Sequence, residues 1–147
     1  MYETIFTLAN LLVIPFWLLM ILLPVWGWTE RIMRSLWTVA PAAVAYALLV
    51  LPNLFSLLGE LASPSATSIA ALLGTPAGAT IGWIHFLAFD LFVGRWAYLD
   101  SRQRRLPPLL VSLALFFIFM FGPLGLLLYL GVRTMAGRRA AAAVQPI

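Results

Sequence analysis

The sequence predicts an all-α integral membrane protein, a bundle of four transmembrane helices. Three observations predict it. Mean hydropathy is +1.01. Of 147 residues, 63% are hydrophobic and 10% charged, where a soluble domain carries about 25% charge. Four apolar runs, 4–23, 36–58, 79–99 and 109–130, reach the ~20 residues a crossing helix needs. Runs such as LLVIPFWLLMILL do not alternate, as barrel strands of ~10 residues would.

The first run lacks a basic leader and a small-x-small cleavage site, and its apolar stretch is too long for a signal peptide. It reads as a retained span. Glu3, Asn10 and Trp17 lie seven apart on it, with Thr7 on the same face. In the second span Tyr46, Asn53 and Glu60 are seven apart, with Ser56 beside them. In the fourth, Gly122 and Tyr129 are seven apart, with Gly125 between. Polar groups in hydrocarbon face protein or a wet cavity, and small residues permit close packing, so these stripes are expected to point inward. Pro15, Pro41, Pro52 and Pro123 predict bends, which membrane helices tolerate. The third span has no proline and is expected to be the straightest.

The connection 24–35 carries Glu30, Arg31 and Arg34, and 101–108 carries Arg102, Arg104 and Arg105. The connection 59–78 is neutral apart from Glu60 and rich in small residues. Residues 1–133 form one domain, and 134–147, with Arg138 and Arg139, are expected to be a mobile tail. All nine basic residues are arginine, and net charge is +4. That usage suits a GC-rich bacterial genome. The arginines flank apolar runs, so they read as topology and headgroup anchors rather than a nucleic-acid face. Four crossings put both termini on one face, with Arg133, Arg138 and Arg139. The other face holds Arg31, Arg34, Arg102, Arg104 and Arg105. Five against three favours termini outside the cytoplasm.

The chemistry concentrates in HFLAFDLFVGRWAYLD, residues 85–100. It holds the single His85, then Asp90, Arg95 and Asp100 at intervals of five. A rise of ~1.5 Å per residue puts His85, Asn10 and Asn53 about 8–9 Å below the termini face, and Asp90 and Tyr46 about 16 Å deep, near the midplane. A carboxylate there costs ~2.5–3.5 kcal/mol on insertion scales. Asp90 is therefore either a working group or a buried hydrogen-bonding group that fixes helix register. Five-residue spacing turns a helix by about 140°, so Asp90 should find its partner on another helix, with Gly94 and Ala97 leaving room beside it. His85 is either a proton-transfer group or simply satisfied by a neighbour. Arg95 can snorkel or bridge to Asp100. The candidate catalytic residues are His85 and Asp90. The candidate substrate-binding residues are Asn10, Tyr46, Asn53, Trp83, Arg95 and Gly122.

No cysteine is present, which excludes disulfide and thiolate chemistry. One histidine cannot build a multi-histidine di-iron box. A metal set of His85, Asp90 and Glu3 or Glu60 has the ligand types but no recognisable spacing, so no metal is expected. No Walker loop, dinucleotide fingerprint or nucleophile elbow is present.

The stretches ETIFTLANLLVIPFWLLMILLP, GTPAGATIGWIHFLAFDLFVGRWAYLD and FGPLGLLLY resemble the abscisic-acid-deficient-four-like membrane proteins. The specific part is the order carried by Trp83, Ile84, His85, Asp90, Leu91, Phe92, Arg95 and Asp100, followed by Pro123 and Gly125. The resemblance covers about residues 3–133, in a short bacterial form. Plant members of that family are neoxanthin synthases. The resemblance therefore implies a four-helix membrane protein acting on a carotenoid or related polyene lipid. The plant reaction is an isomerisation in which an epoxide opens and an allene forms. Such a reaction needs an acid near the oxygen and a base for a carbon-bound proton. It moves no electrons, so no cofactor is expected. Asp90 as acid and His85 as base suit it. The alternative is a non-catalytic membrane protein that binds carotenoid or lipid, or steadies a partner enzyme. Carotenoid enzymes or further copies of the chain are the protein partners either reading allows.

Overall fold

In the computed structural model, which describes residues 1–144 and side chains as far as 136, every regular element among the described residues is helical. The helices are α1 (Tyr2–Leu22), α2 (Gly27–Arg34), α3 (Ala40–Val50), α4 (Leu54–Ala62), α5 (Ala66–Leu73), α6 (Pro76–Gln103), α7 (Pro108–Phe121) and α8 (Pro123–Val144). Three stretches are long and apolar enough to cross a membrane: α1, the α3–α4 stretch Ala40–Ala62, and α6. By their contacts the residues form two compact units. The first comprises 1–14 and 39–89; the second comprises 15–38 and 90–147. The long helices α1 and α6 each contribute to both.

Pro15, where the second unit begins, leaves α1 unbroken, whereas Pro52, in the first unit, does not leave the second span intact. A single tight turn, Leu51–Asn53, separates α3 from α4, because proline removes one helical N–H and crowds the preceding turn. The turn shifts the register of everything beyond it. Tyr46 is half-buried, but Asn53, Ser56 and Glu60 are exposed. The expected inward stripe on this span therefore ends at Tyr46. The neutral connection contains α5, which the sequence reading leaves as a loop. Ser65 accepts from the backbone N–H of Ser68 at 3.1 Å, and Ser68 Oγ accepts from the N–H of Ser65 at 3.0 Å. This reciprocal cap satisfies two donors that a helix start leaves without partners.

Along α6 the buried positions are Gly78, Thr80, Ile84, Leu87, Ala88, Leu91, Gly94, Ala97, Tyr98 and Ser101. From Thr80 onward they recur every three or four residues, which defines one face of a helix. The aromatics Trp83, Phe86, Phe89, Phe92 and Trp96 are exposed. Small and aliphatic groups and the Tyr98 ring pack on the buried face, and small residues there permit close helix approach. As expected, α6 is a single unbroken helix.

In the second unit, α2 is a short amphipathic helix within the 24–35 connection. It buries Thr29 and Met33 and exposes Arg31 and Arg34. Thr29 Oγ1 donates to the carbonyl of Leu23 at 2.8 Å, tying the helix to the end of α1. The expected fourth span is not one helix. It divides at Gly122 into α7 and α8, which pack against each other. Gly122 has φ +40°, a conformation that a side chain disfavours. Gly125 packs onto the backbone of Phe117 and Ile118, a distance of approach that leaves no place for a β-carbon. Two residues seven apart along one straight helix would be about 10 Å apart, so the chain reverses here into a helical hairpin. Pro123 opens the new helix at the position where its missing N–H is harmless. The expected stripe of Gly122, Gly125 and Tyr129 is buried throughout. The tail expected to be mobile is helical as far as Val144, and 145–147 lie outside the described residues.

Two stability outcomes follow from these local geometries. Ser65→Ala should weaken α5 by about 1 kcal/mol, read as faster amide exchange over 66–73. Gly122→Ala should lower stability by about 1–3 kcal/mol. Gly131→Ala, in a helical position with open space around it, should instead be neutral or raise stability by up to about 1 kcal/mol. Thermal unfolding in detergent reads both glycine variants.

Candidate functional site

The first unit contains an apolar cavity of about 200 Å³. Helix α5 forms one wall with Ile69, Leu72 and Leu73, and α4 contributes Leu57 and Leu61. From α6, Gly78 and Gly82 lie one turn apart and let α5 approach closely, since the Leu72 carbonyl and the Leu73 side chain occupy the places a β-carbon would take, and His85 stands on the following turn. Tyr46 of α3 is the other polar side chain in the lining. The His85 ring stacks on Phe89 with centroids 4.7 Å apart and lies 5.3 Å from the Tyr46 ring. With Phe86 edge-on at 6.2 Å, three aromatic rings border the imidazole. The phenol and the imidazole are the groups lining the cavity that can exchange protons.

Asn10 and Trp83 also come together in this unit. Asn10 donates through Nδ2 to the carbonyl of Phe6 at 2.8 Å and accepts from Trp83 Nε1 at 3.1 Å. Phe6 stacks on the Trp83 ring at 5.4 Å. Both Asn10 groups are satisfied inside the protein, as its stripe requires. Asn53 does not join such a layer. It is exposed, and its Nδ2 reaches only the carbonyl of Leu49 in its own helix, at 3.5 Å.

Asp90 belongs to the second unit. Its carboxylate lies against Gly122: a β-carbon at that glycine would come within 2.7 Å of Asp90 Oδ1. Its neighbour is therefore on another helix, at the apex of the α7–α8 hairpin, as the five-residue spacing implies. The space expected beside Asp90 at Gly94 is filled, because the Trp17 indole packs directly on that glycine. Ala97 is fully buried.

Arg95 neither snorkels free nor bridges Asp100. Its Nη2 donates to the carbonyl of Arg34 at 2.9 Å. Asp100 is taken by other partners. Tyr129 donates its hydroxyl at 2.6 Å, Arg104 pairs at 2.9 Å, and Arg133 forms an ion pair at 3.1 Å. Arg133 also lies over the Trp96 ring, 5.7 Å from its centre. A second carboxylate, Glu30, binds Arg34 at 2.7 Å and Arg102 at 3.3 Å. Among the described residues, no three His, Asp or Glu side chains gather into a metal-holding group.

The residues missed in the sequence are the α5 wall and the Asp100 partners. Ser65, Ser68 and Gly74 frame α5 with cap signals. Tyr129 and Arg133 share a helical face at a spacing of four. Both patterns were available to find them.

Hydrogen bonds first from Arg34 and then from Arg102 hold the Glu30 carboxyl below its ordinary value of 4.5. A depressed folded value contributes stability that is complete above 4.5 and is lost as pH falls through the folded value. Glu30→Gln should therefore flatten the decline of melting temperature below about pH 4.5. A decline as steep in the variant as in the wild type would show that these pairs do not hold the α2–α6 junction.

Comparison with curated proteins and with solved structures gave no match. A family model described as ABA DEFICIENT 4-like matches residues 4–129. The match runs from the first turn of α1 through the cavity helices and the glycine turn to Tyr129, and the chain belongs to the ABA DEFICIENT 4-like family.

Proposed function

We propose that this protein, in the inner membrane of a bacterium, takes one end of a carotenoid or related polyene lipid into the His85 cavity and isomerises it by acid–base chemistry without a cofactor. The observation that carries the reading is the cavity lining: an apolar chamber with one imidazole and one phenol. Drug-sized ligands fill roughly 300–1,000 Å³. A chamber of about 200 Å³ suits a single ring end, with the polyene chain lying outward along lipid-facing helices. Family membership supports the substrate class through the resemblance to the plant enzymes.

The reaction proposed is the opening of a ring epoxide. His85 takes a proton from the carbon beside the epoxide. The electron pair forms the new carbon–carbon double bond, the carbon–oxygen bond breaks, and the oxygen receives a proton from Tyr46. Proton exchange between His85 and Tyr46 restores both groups. The product has the formula of the substrate, so no oxidant or reductant enters. The acid role expected of Asp90 passes to Tyr46, which lines the same cavity as His85. Asp90 is assigned to the hairpin turn.

General acid–base groups contribute about 10²–10⁴-fold. In a carotenoid-producing host, the wild-type gene should change which pigment accumulates. His85→Gln should cut that conversion at least about 100-fold at equal protein level, and Tyr46→Phe should do likewise. Leu57→Trp, which fills the cavity, should abolish both conversion and co-purified pigment. A wild-type gene that changes only pigment yield would replace catalysis with non-catalytic binding. Pigment retained in full by Leu57→Trp would remove the cavity from the proposal.

A further inference from the structure

The arginines and the α7–α8 hairpin together fix how the chain meets the membrane. Helix α7 has 14 residues, about 21 Å of helix, against a hydrocarbon thickness of about 30 Å. It cannot cross alone. The chain reverses at Gly122, and α8 returns to the end of α6 from which α7 departs. The return is anchored: Tyr129 and Arg133 both reach Asp100, on the last turns of α6. The apex has an independent depth marker. Gly122 lies against Asp90, and Asp90 is ten residues, about 15 Å, along α6 from Asp100. The hairpin therefore reaches about half the hydrocarbon depth and turns back.

This return changes the charge arithmetic. A fourth crossing would carry Arg133, Arg138 and Arg139 to the opposite face from the other arginines. With a returning hairpin they stay on the same face. Arg31 and Arg34 lie in and beside α2 on that face, and Arg102, Arg104 and Arg105 lie at the end of α6. Arg95 is held there by its bond to the Arg34 carbonyl. The eight arginines outside the spans become eight against none in place of five against three, and Arg95 makes nine. All nine belong to the second unit. Cytoplasmic flanks carry the excess of arginine, and anionic headgroups of that leaflet attract it.

We propose that α7–α8 is a re-entrant hairpin, that the chain crosses the membrane three times, and that its all-arginine face rests on the anionic headgroups of the cytoplasmic leaflet. Met1 then lies outside and the far end of α8 inside. The termini are on opposite faces, not on one face as four crossings require.

The absence of cysteine makes single-cysteine labelling clean. Ser63→Cys lies between α4 and α5, Gln103→Cys at the end of α6, and Met135→Cys on α8; all three positions are exposed. A membrane-impermeant maleimide applied to intact cells should label Ser63→Cys alone. Gln103→Cys and Met135→Cys should label only once the membrane is opened, which also shows that the proteins are present. A fluorescent protein that matures only in the cytoplasm should fluoresce when fused after Ile147. Met135→Cys labelling together with Ser63→Cys would establish a fourth crossing and end the hairpin. Gln103→Cys and Met135→Cys labelling in intact cells, with Ser63→Cys protected, would reverse the orientation and end the role of the anionic leaflet.

Discussion

A backbone that leaves the helix inside hydrocarbon must keep every N–H and C=O group paired, because no water is there to accept them. The second unit is organised around the one place where the chain does this at mid-depth. At Gly122 the N–H still bonds the carbonyl of Ile118 at 2.8 Å, and the glycine carbonyl already accepts from Leu126 at 3.1 Å. Pro123 has no N–H to satisfy. One residue thus closes α7 and opens α8, and the groups that must remain open at a helix start are reduced to the N–H groups of Leu124 and Gly125. The Asp90 carboxylate lies at this start, where the positive end of the helix dipole favours an anion. The expense of a mid-membrane carboxylate and the expense of an unfinished helix end are offset against each other.

The same constraint explains which features were legible in the sequence. Hydropathy located α1, the α3–α4 stretch and α6, because length and composition suffice to recognise a span. Seven-residue spacing placed Gly122, Gly125 and Tyr129 on a buried stripe and placed Asn10 against protein. It failed at Asn53, because one tight turn at Leu51–Asn53 rotates the rest of the span. Hydropathy also failed to divide 109–130. Both arms of a hairpin in lipid are as apolar as one continuous span, so composition cannot register a reversal. A glycine–proline pair is tolerated inside membrane helices, and only the approach of Gly125 to Phe117 and Ile118 reveals that the chain turns back. The short helices α2 and α5 were hidden for a different reason: at eight residues each they are too short to register as spans, and α5 shows itself only through the Ser65–Ser68 cap.

The spacing of His85 and Asp90 gains a physical sense from the neighbours each one has. Five residues along α6 turn the side chains by about 140°, and each meets a different set of groups. His85 is stacked on Phe89 and lies beside the Tyr46 ring, and both His85 and Tyr46 line a small apolar pocket. Asp90 meets the backbone of a turn. At four apart the two would have lain along one face, able to pair, and neither could have been committed to its own surroundings. Sequence reasoning recognised that the two must diverge. For each it left open a proton-transfer role and a packing role, and it could not see that a glycine on another helix lies beside the carboxylate.

Charge follows the same division. Asp100 and Glu30 are held by Tyr129, Arg104, Arg133, Arg34 and Arg102. These groups fasten α2, α6 and α8, and a group that fastens helices is poorly placed to gain and lose a proton during a reaction. No arginine belongs to the first unit, and its two glutamates, Glu3 and Glu60, are exposed. The cavity there is lined by side chains of α3, α4, α5 and α6, of which His85 and Tyr46 are the polar ones. Whatever proton transfer the cavity supports must then fall to His85 and to the phenol beside it, and the mechanism assigned to the site follows from that restriction.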